Sequence, residues 1–132
     1  MKRWVLSNEE QKVCFNKKLK MKYSLDDSIV AIATTHSNQA LSIIRCSGKR
    51  SLLIVSSVFS SPDKLRNAKG NTTHVGYIVE ENKKIDQVVV CIYREPKSFT
   101  GEDVVEIIAH GSFYTTVSIY NLLVKKGFRP AE

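Results

Sequence analysis

A chain of 132 residues, 42% of them apolar, has the length of about one domain and enough apolar material for a real core. That composition excludes a disulfide scaffold and a disordered polymer, and no stretch approaches the roughly 18 apolar residues of a membrane-spanning helix. The net charge of +7 is uneven: residues 1–20 carry +4 and the remainder +3. A basic tail can favour nucleic acid or an anionic surface, but the body is only mildly basic and has no basic run interleaved with aromatics.

The leading residues MKRWVLSNEEQKVCFNKKLK lack the apolar core of a secretory signal. With one Arg and two Glu they do not suit an organelle-targeting peptide either. Residues 1–24 therefore read as a basic N-terminal extension, expected to be disordered. Residues 25–132 read as the folded domain. Within it, SIVAIATT (28–35) is β-branched and apolar on both faces, which predicts a central strand. ALSIIRC (40–46) predicts a second strand, ended by Ser47-Gly48. In KRSLLIVSSVFS (49–60), Leu52, Val55 and Phe59 recur at helical spacing. SPDKLRNAKGN (61–71) reads as a polar loop between two breakers, Pro62 and Gly70.

THVGYIVE (73–80) and IDQVVVCIYR (85–94) predict an antiparallel hairpin with a loop of about four residues. EPKSFTG is a loop, with Gly101 expected at positive φ. DVVEIIAH (103–110) predicts another strand. SFYTTVSIYNLLVKK (112–126) predicts a helix with Ser112 as N-cap, Phe113, Val117, Tyr120 and Val124 on one stripe, and Gly127 after its last turn. FRPAE is extended, because Pro130 disfavours helix at Arg129. The order β-β-α-β-β-β-α predicts an α/β domain of the α+β type, with one helical layer over a mixed sheet.

Three cysteines, Cys14, Cys46 and Cys91, are odd in number and scattered, as expected of reduced thiols in a cytoplasmic protein. The histidines are equally dispersed, so no metal site is expected. GKRS (48–51) looks like the end of a phosphate-binding loop, but the upstream glycine is absent and Arg50 stands where Ser or Thr is required. No Ser or Cys sits on a nucleophile elbow, so no catalytic residue is assigned.

Glu106 is the conspicuous residue. On its strand, Val104, Glu106, Ile108 and His110 share one face, and Asp103, Val105, Ile107 and Ala109 share the other. A carboxylate in such a place needs donors. Arg45, alternating with Leu41 and Ile43, is a comparable oddity. Two readings stand side by side. One is an Arg45–Glu106 salt bridge without further role. The other is a pocket whose carboxylate meets two adjacent N–H donors, such as the ring N–H and exocyclic amine of a pterin or purine.

PKSFTGEDVVEIIAHG (96–111) resembles the signature P-x-S-[YF]-T-G-E-D-V-[VL]-E-[IL]-x-x-H-G-G of the N-terminal domain of the tRNA modification GTPase family MnmE, also called TrmE. DSIVAIAT (27–34), SIIRCSG (42–48) and Ile85-Asp86 resemble further family segments. The resemblance implies a mixed sheet of about five strands with two main helices. It implies a homodimer that binds 5-formyltetrahydrofolate or a related tetrahydrofolate as one-carbon donor, with Arg45 and Glu106 as folate-contacting residues. In the resembled family, helical and GTP-binding domains follow. GTP, Mg and K ions belong to the latter, and a flavoprotein partner, MnmG or GidA, joins in modifying carbon 5 of the wobble uridine of tRNA.

This sequence departs from that pattern. The family's glycine-rich P-P-G-x-G-G-x-G is THSNQALS (35–42) here, and HGG is HGS at Ser112. Side chains at Ser37, Gln39, Ala40 and Ser42 are expected to crowd the space that glycines leave. The family's continuation, P-G-E-F-[TS] and a further folate-contacting lysine, would follow RPAE. The chain is thus expected to be a fragment or a truncated remnant, not catalytic alone, and a degenerate module that dimerises without folate is the alternative reading.

Overall fold

The computed structural model describes residues 27–131; the expected N-terminal extension lies outside them. Six strands form one sheet: β1 Ile29–Ile32, β2 Leu41–Ser47, β3 Thr72–Glu80, β4 Lys83–Tyr93, β5 Val104–His110 and β6 Arg129–Pro130. Three helices accompany them: α1 Ser51–Ser57, α2 Pro62–Arg66 and α3 Phe113–Lys126. The spatial order is β3-β4-β5-β2-β1-β6, antiparallel throughout except for the parallel β1–β6 pair.

Alternation along the strands decides where the core lies. Ile44 and Cys46 of β2, Val90 and Ile92 of β4, and Val105 and Ile107 of β5 are all buried and share one face. They pack with Leu52 and Val55 of α1 and with Ile119 and Leu123 of α3. Burial of such side chains contributes about 1.5–3 kcal/mol each. The helical spacing of Leu52, Val55 and Phe59 did identify the buried face of α1, although the helix stops at Ser57 and Phe59 forms a bridge with Ile78 of β3.

Several local features differ from expectation. Pro62 does not break structure but opens α2 at a position where its missing N–H costs nothing, and Leu65 of that turn is fully buried. The β3–β4 connection is two residues, Glu81 and Asn82, at φ 49 and 65. Both positive values match the tight turn that suits strand twist. The register then skips Ile85, so Ile78 opposes Asp86 while Val79 opposes Lys84. The β1 strand lies one place from the sheet edge, covered there only by the two residues of β6. The β6 strand is the extended segment expected around Pro130, flanked by bonds from Arg129 N–H to Ser28 O, just before β1, and from Ala131 N–H to Val30 O of β1, each at 2.9 Å.

On α3 the buried positions are Thr116, Ile119, Leu122 and Leu123, whereas Phe113 is half exposed. Of the expected stripe, Tyr120 and Val124 do pack against the core, while the fully inward positions lie beside it. A hydroxyl pair accompanies this orientation: Ser42 Oγ and Thr116 Oγ1 are 2.7 Å apart in the buried layer between sheet and helix. No helix among the described residues is long and apolar enough to cross a membrane.

Candidate functional site on the open sheet face

The strand alternation that buries one face leaves the other without a helix over it among the described residues. Registers between neighbouring strands place its side chains in rows. Thr73, Cys91, Glu106, Arg45 and Ala31 lie opposite one another across five strands. The next row holds Val75, Val89, Ile108 and Ile43. Beyond it Leu41 opposes His110 and Gln87 opposes Tyr77. A charged row, an apolar row and a polar row thus follow one another along the strands.

Arg45 and Glu106, singled out by sequence, are direct cross-strand partners. Arg45 donates to Glu106 Oε1 from Nε at 3.0 Å and from Nη2 at 2.9 Å. The side chains are 37% and 19% exposed, so the pair is open to solvent and to a ligand from above. Both arginine contacts fall on one oxygen. A carboxylate has about four acceptor sites on its two oxygens, so capacity remains for further donors.

Three residues at this place were not identified from sequence. Phe99, 86% exposed, stands over the Arg45 guanidinium with its ring centroid 5.3 Å away. Burial first, then the Glu106 charge, push the Cys91 thiol up from its ordinary range. Glu106 is the main cause of a raised Tyr93 hydroxyl, with burial and Cys91 adding and Arg45 opposing. The sequence signal for Cys91 and Tyr93 was their parity on β4, which became readable only with the β4–β5 register.

The loop between β4 and β5 is tied at both ends. Arg94 Nη1 donates to Asp103 Oδ2 at 3.2 Å, and the Glu95 amide donates to Asp103 Oδ1 at 3.0 Å. Thr100 Oγ1 and Ser47 Oγ are 2.7 Å apart, and Ser98 Oγ donates to the Glu102 carbonyl. Gly101 adopts φ 81, the expected positive value. These ties hold the loop that carries Phe99 beside Arg45 of the charged row.

The glycine-free loop does not crowd the face uniformly. Ser42 points into the core, to Thr116. Gln39 folds back: its Nε2 donates to the Thr35 carbonyl at 3.0 Å, and its Oε1 accepts from Thr35 Oγ1 at 2.9 Å. The GKRS segment cannot present its amides as a phosphate cradle, because Arg50 N–H is taken by Ser28 Oγ and Ser51 N–H by the Gly48 carbonyl. Among the described residues no group of three His, Cys, Asp or Glu side chains lies close enough to hold a metal.

An antiparallel-dominated sheet with helices on one face and a partly exposed ion pair on the other defines a mixed α/β domain of the α+β type. The family model described as the GTP-binding protein TrmE N-terminus matches residues 28–132, and the chain belongs to that family. It is 51% identical over 113 residues to the tRNA modification GTPase MnmE of Treponema denticola, and 52% identical over 112 residues to that of Borreliella afzelii. The match to the Treponema pallidum protein is 46% identical over 110 residues. These matches cover 84%, 83% and 83% of this chain but 24%, 24% and 22% of the relatives. The chain thus spans about a quarter of the length of the curated relatives it matches.

Proposed function

We propose that this chain is the folate-binding and homodimerising N-terminal module of a GTPase that modifies carbon 5 of the wobble uridine in tRNA, acting with the flavoprotein MnmG or GidA. The ligand is 5-formyltetrahydrofolate or a related tetrahydrofolate. It lies on the open sheet face, with its pterin ring against Glu106 and Arg45.

The observation that carries this reading is the division of labour on Glu106. Arg45 occupies Oε1 from two donors and so fixes the carboxylate in place. Oε2, with its own pair of acceptor sites, is left to accept from the ligand. A pterin offers a ring N–H beside an exocyclic amine, matching that edge. The exposed Phe99 ring and the apolar row through Ile108 suit a flat aromatic ligand. Exposed Leu41, Val75, Phe113 and Tyr114 leave apolar surface for a second copy or a neighbouring domain.

Calorimetric titration with 5-formyltetrahydrofolate tests the reading. The wild-type chain binds, and Glu106→Gln weakens binding tenfold or more, about 1.4 kcal/mol. Equal affinity in the two proteins would remove Glu106 from the site. The braced, glycine-free loop supports a second reading, a module that dimerises and no longer takes folate. A folded dimer with no heat of folate binding is its signature.

A further inference from the structure

Four residues along β5 from Glu106, on the same face, stands a second polar group that the pterin site does not use. The His110 side chain is 68% exposed, while its partner Asp86 is only 13% exposed. Asp86 Oδ1 lies 2.7 Å from His110 Nδ1, and Asp86 Oδ2 accepts the His110 backbone N–H at 2.9 Å. A carboxylate has no proton to give, so Nδ1 carries the hydrogen and Nε2 faces outward. The residue skipped in the β3–β4 register, Ile85, immediately precedes Asp86. Such bulges re-aim neighbouring side chains.

This oriented imidazole borders a cleft of about 310 Å³ lined by Leu41, Val75, Gln87, Val89 and Ile108 as well as His110. No other ionisable side chain lines it among the described residues. The distance from the Glu106 row to the His110 row is four strand residues, about 13 Å at ~3.3 Å per residue. Between them lies the apolar row of Val75, Val89, Ile108 and Ile43.

We propose, resting on the folate reading above, that His110 and Gln87 form the subsite for the acidic tail of that ligand. The tail of a folate is a benzoyl ring joined through an amide to glutamate. Its ring fits the apolar row, its amide the Gln87 side chain, and its carboxylate accepts from Nε2–H of a His110 imidazolium whose Nδ1–H is held by Asp86. The site thereby selects a ligand that ends in a carboxylate over a bare pterin.

The test titrates two ligands, 5-formyltetrahydrofolate and a 5-formyltetrahydropterin without the benzoylglutamate tail, into wild type, Glu106→Gln, His110→Gln and Gln87→Ala. Circular dichroism and thermal melting of each variant verify the fold. Wild type is expected to prefer the tailed ligand. His110→Gln lowers its affinity about tenfold and leaves the bare pterin unchanged, with a smaller loss of the same kind in Gln87→Ala. Glu106→Gln weakens both ligands. If His110→Gln affects neither ligand, or both equally, the tail subsite is wrong while the pterin site stands. If wild type binds neither ligand, the folate reading fails and the subsite falls with it.

Discussion

Arg45 on β2 and Glu106 on β5 stand directly opposite each other, and the arginine spends two donors on a single carboxylate oxygen. This geometry separates stability from binding. The pair is partly solvated, so its mutual attraction contributes little to folding, on the order of 1 kcal/mol or less. A double-mutant cycle with Arg45→Ala and Glu106→Gln, read by denaturant unfolding, is expected to give a coupling energy in that range. The same Glu106→Gln change is expected to lower folate affinity at least tenfold. A coupling of several kcal/mol would instead mark the pair as a structural element, which is the other reading its sequence allowed.

Cys46, fully buried, has its thiol pushed far above the ordinary range by burial alone, and Cys91 is raised by burial and by Glu106. A thiol with a raised native pKa keeps its proton where the unfolded chain has lost it. Its contribution is complete below the unfolded value, about 8.5, and is lost as pH rises from there toward the native value. Unfolding free energy should therefore fall between pH 8.5 and 10, by at most about 1.4 kcal/mol per pH unit for each such group. Cys46→Ala should flatten that alkaline slope, whatever it costs at pH 7. An unchanged slope would assign the alkaline loss to other groups.

Two glycines near the site separate close approach from backbone conformation. A Cβ on Gly111 would lie 1.7 Å from the Gln39 carbonyl oxygen, at the point where Gln39 N–H donates to Gly111 O at 3.0 Å. Gly111→Ala must displace that backbone, with an expected loss of about 3 kcal/mol or more. Gly101 has φ 81 with nothing within 4 Å of an added Cβ. Gly101→Ala meets only the conformational penalty, about 1–2 kcal/mol. Thermal melting of the two variants should rank them in that order, and the reverse ranking would refute the packing argument.

The sequence carried the strands because alternation of apolar residues survives without knowledge of neighbours. It also carried the shared character of Arg45 and Glu106, since each is a charge set in an apolar strand. Their contact follows from the β2–β5 register, which strand alternation alone does not determine. Cys91, Tyr93 and the Asp86–His110 pair were out of reach for the same reason: each depends on how β4 aligns with β5 or on the displaced register beside Ile85. The two-residue turn was hidden because Glu81 and Asn82 lack the glycine that normally announces positive φ. Phe99 reads as an ordinary loop residue until the loop is tied down at Ser47 and Asp103.

The inward face of α3 has the most direct test. The apolar stripe of Phe113, Val117, Tyr120 and Val124 reaches the core through Tyr120 and Val124, but the most buried set includes a threonine. Thr116 gains the Ser42 hydroxyl at 2.7 Å and donates to the Ser112 carbonyl at 2.9 Å, so its polar atom is satisfied within the core. That pairing accompanies an orientation in which Ile119 and Leu123 are fully buried and Phe113 is left 48% exposed. Ile119→Ala should cost about 2–5 kcal/mol by the transfer and cavity contributions together. Phe113→Ala should cost less than about 1 kcal/mol despite the larger side chain removed. Thr116→Val should destabilise by about 1–3 kcal/mol, because it leaves the buried Ser42 hydroxyl without its close partner. Urea unfolding of the three variants reads the orientation directly. A larger loss for Phe113→Ala than for Ile119→Ala would mean that α3 presents the apolar stripe counted from sequence.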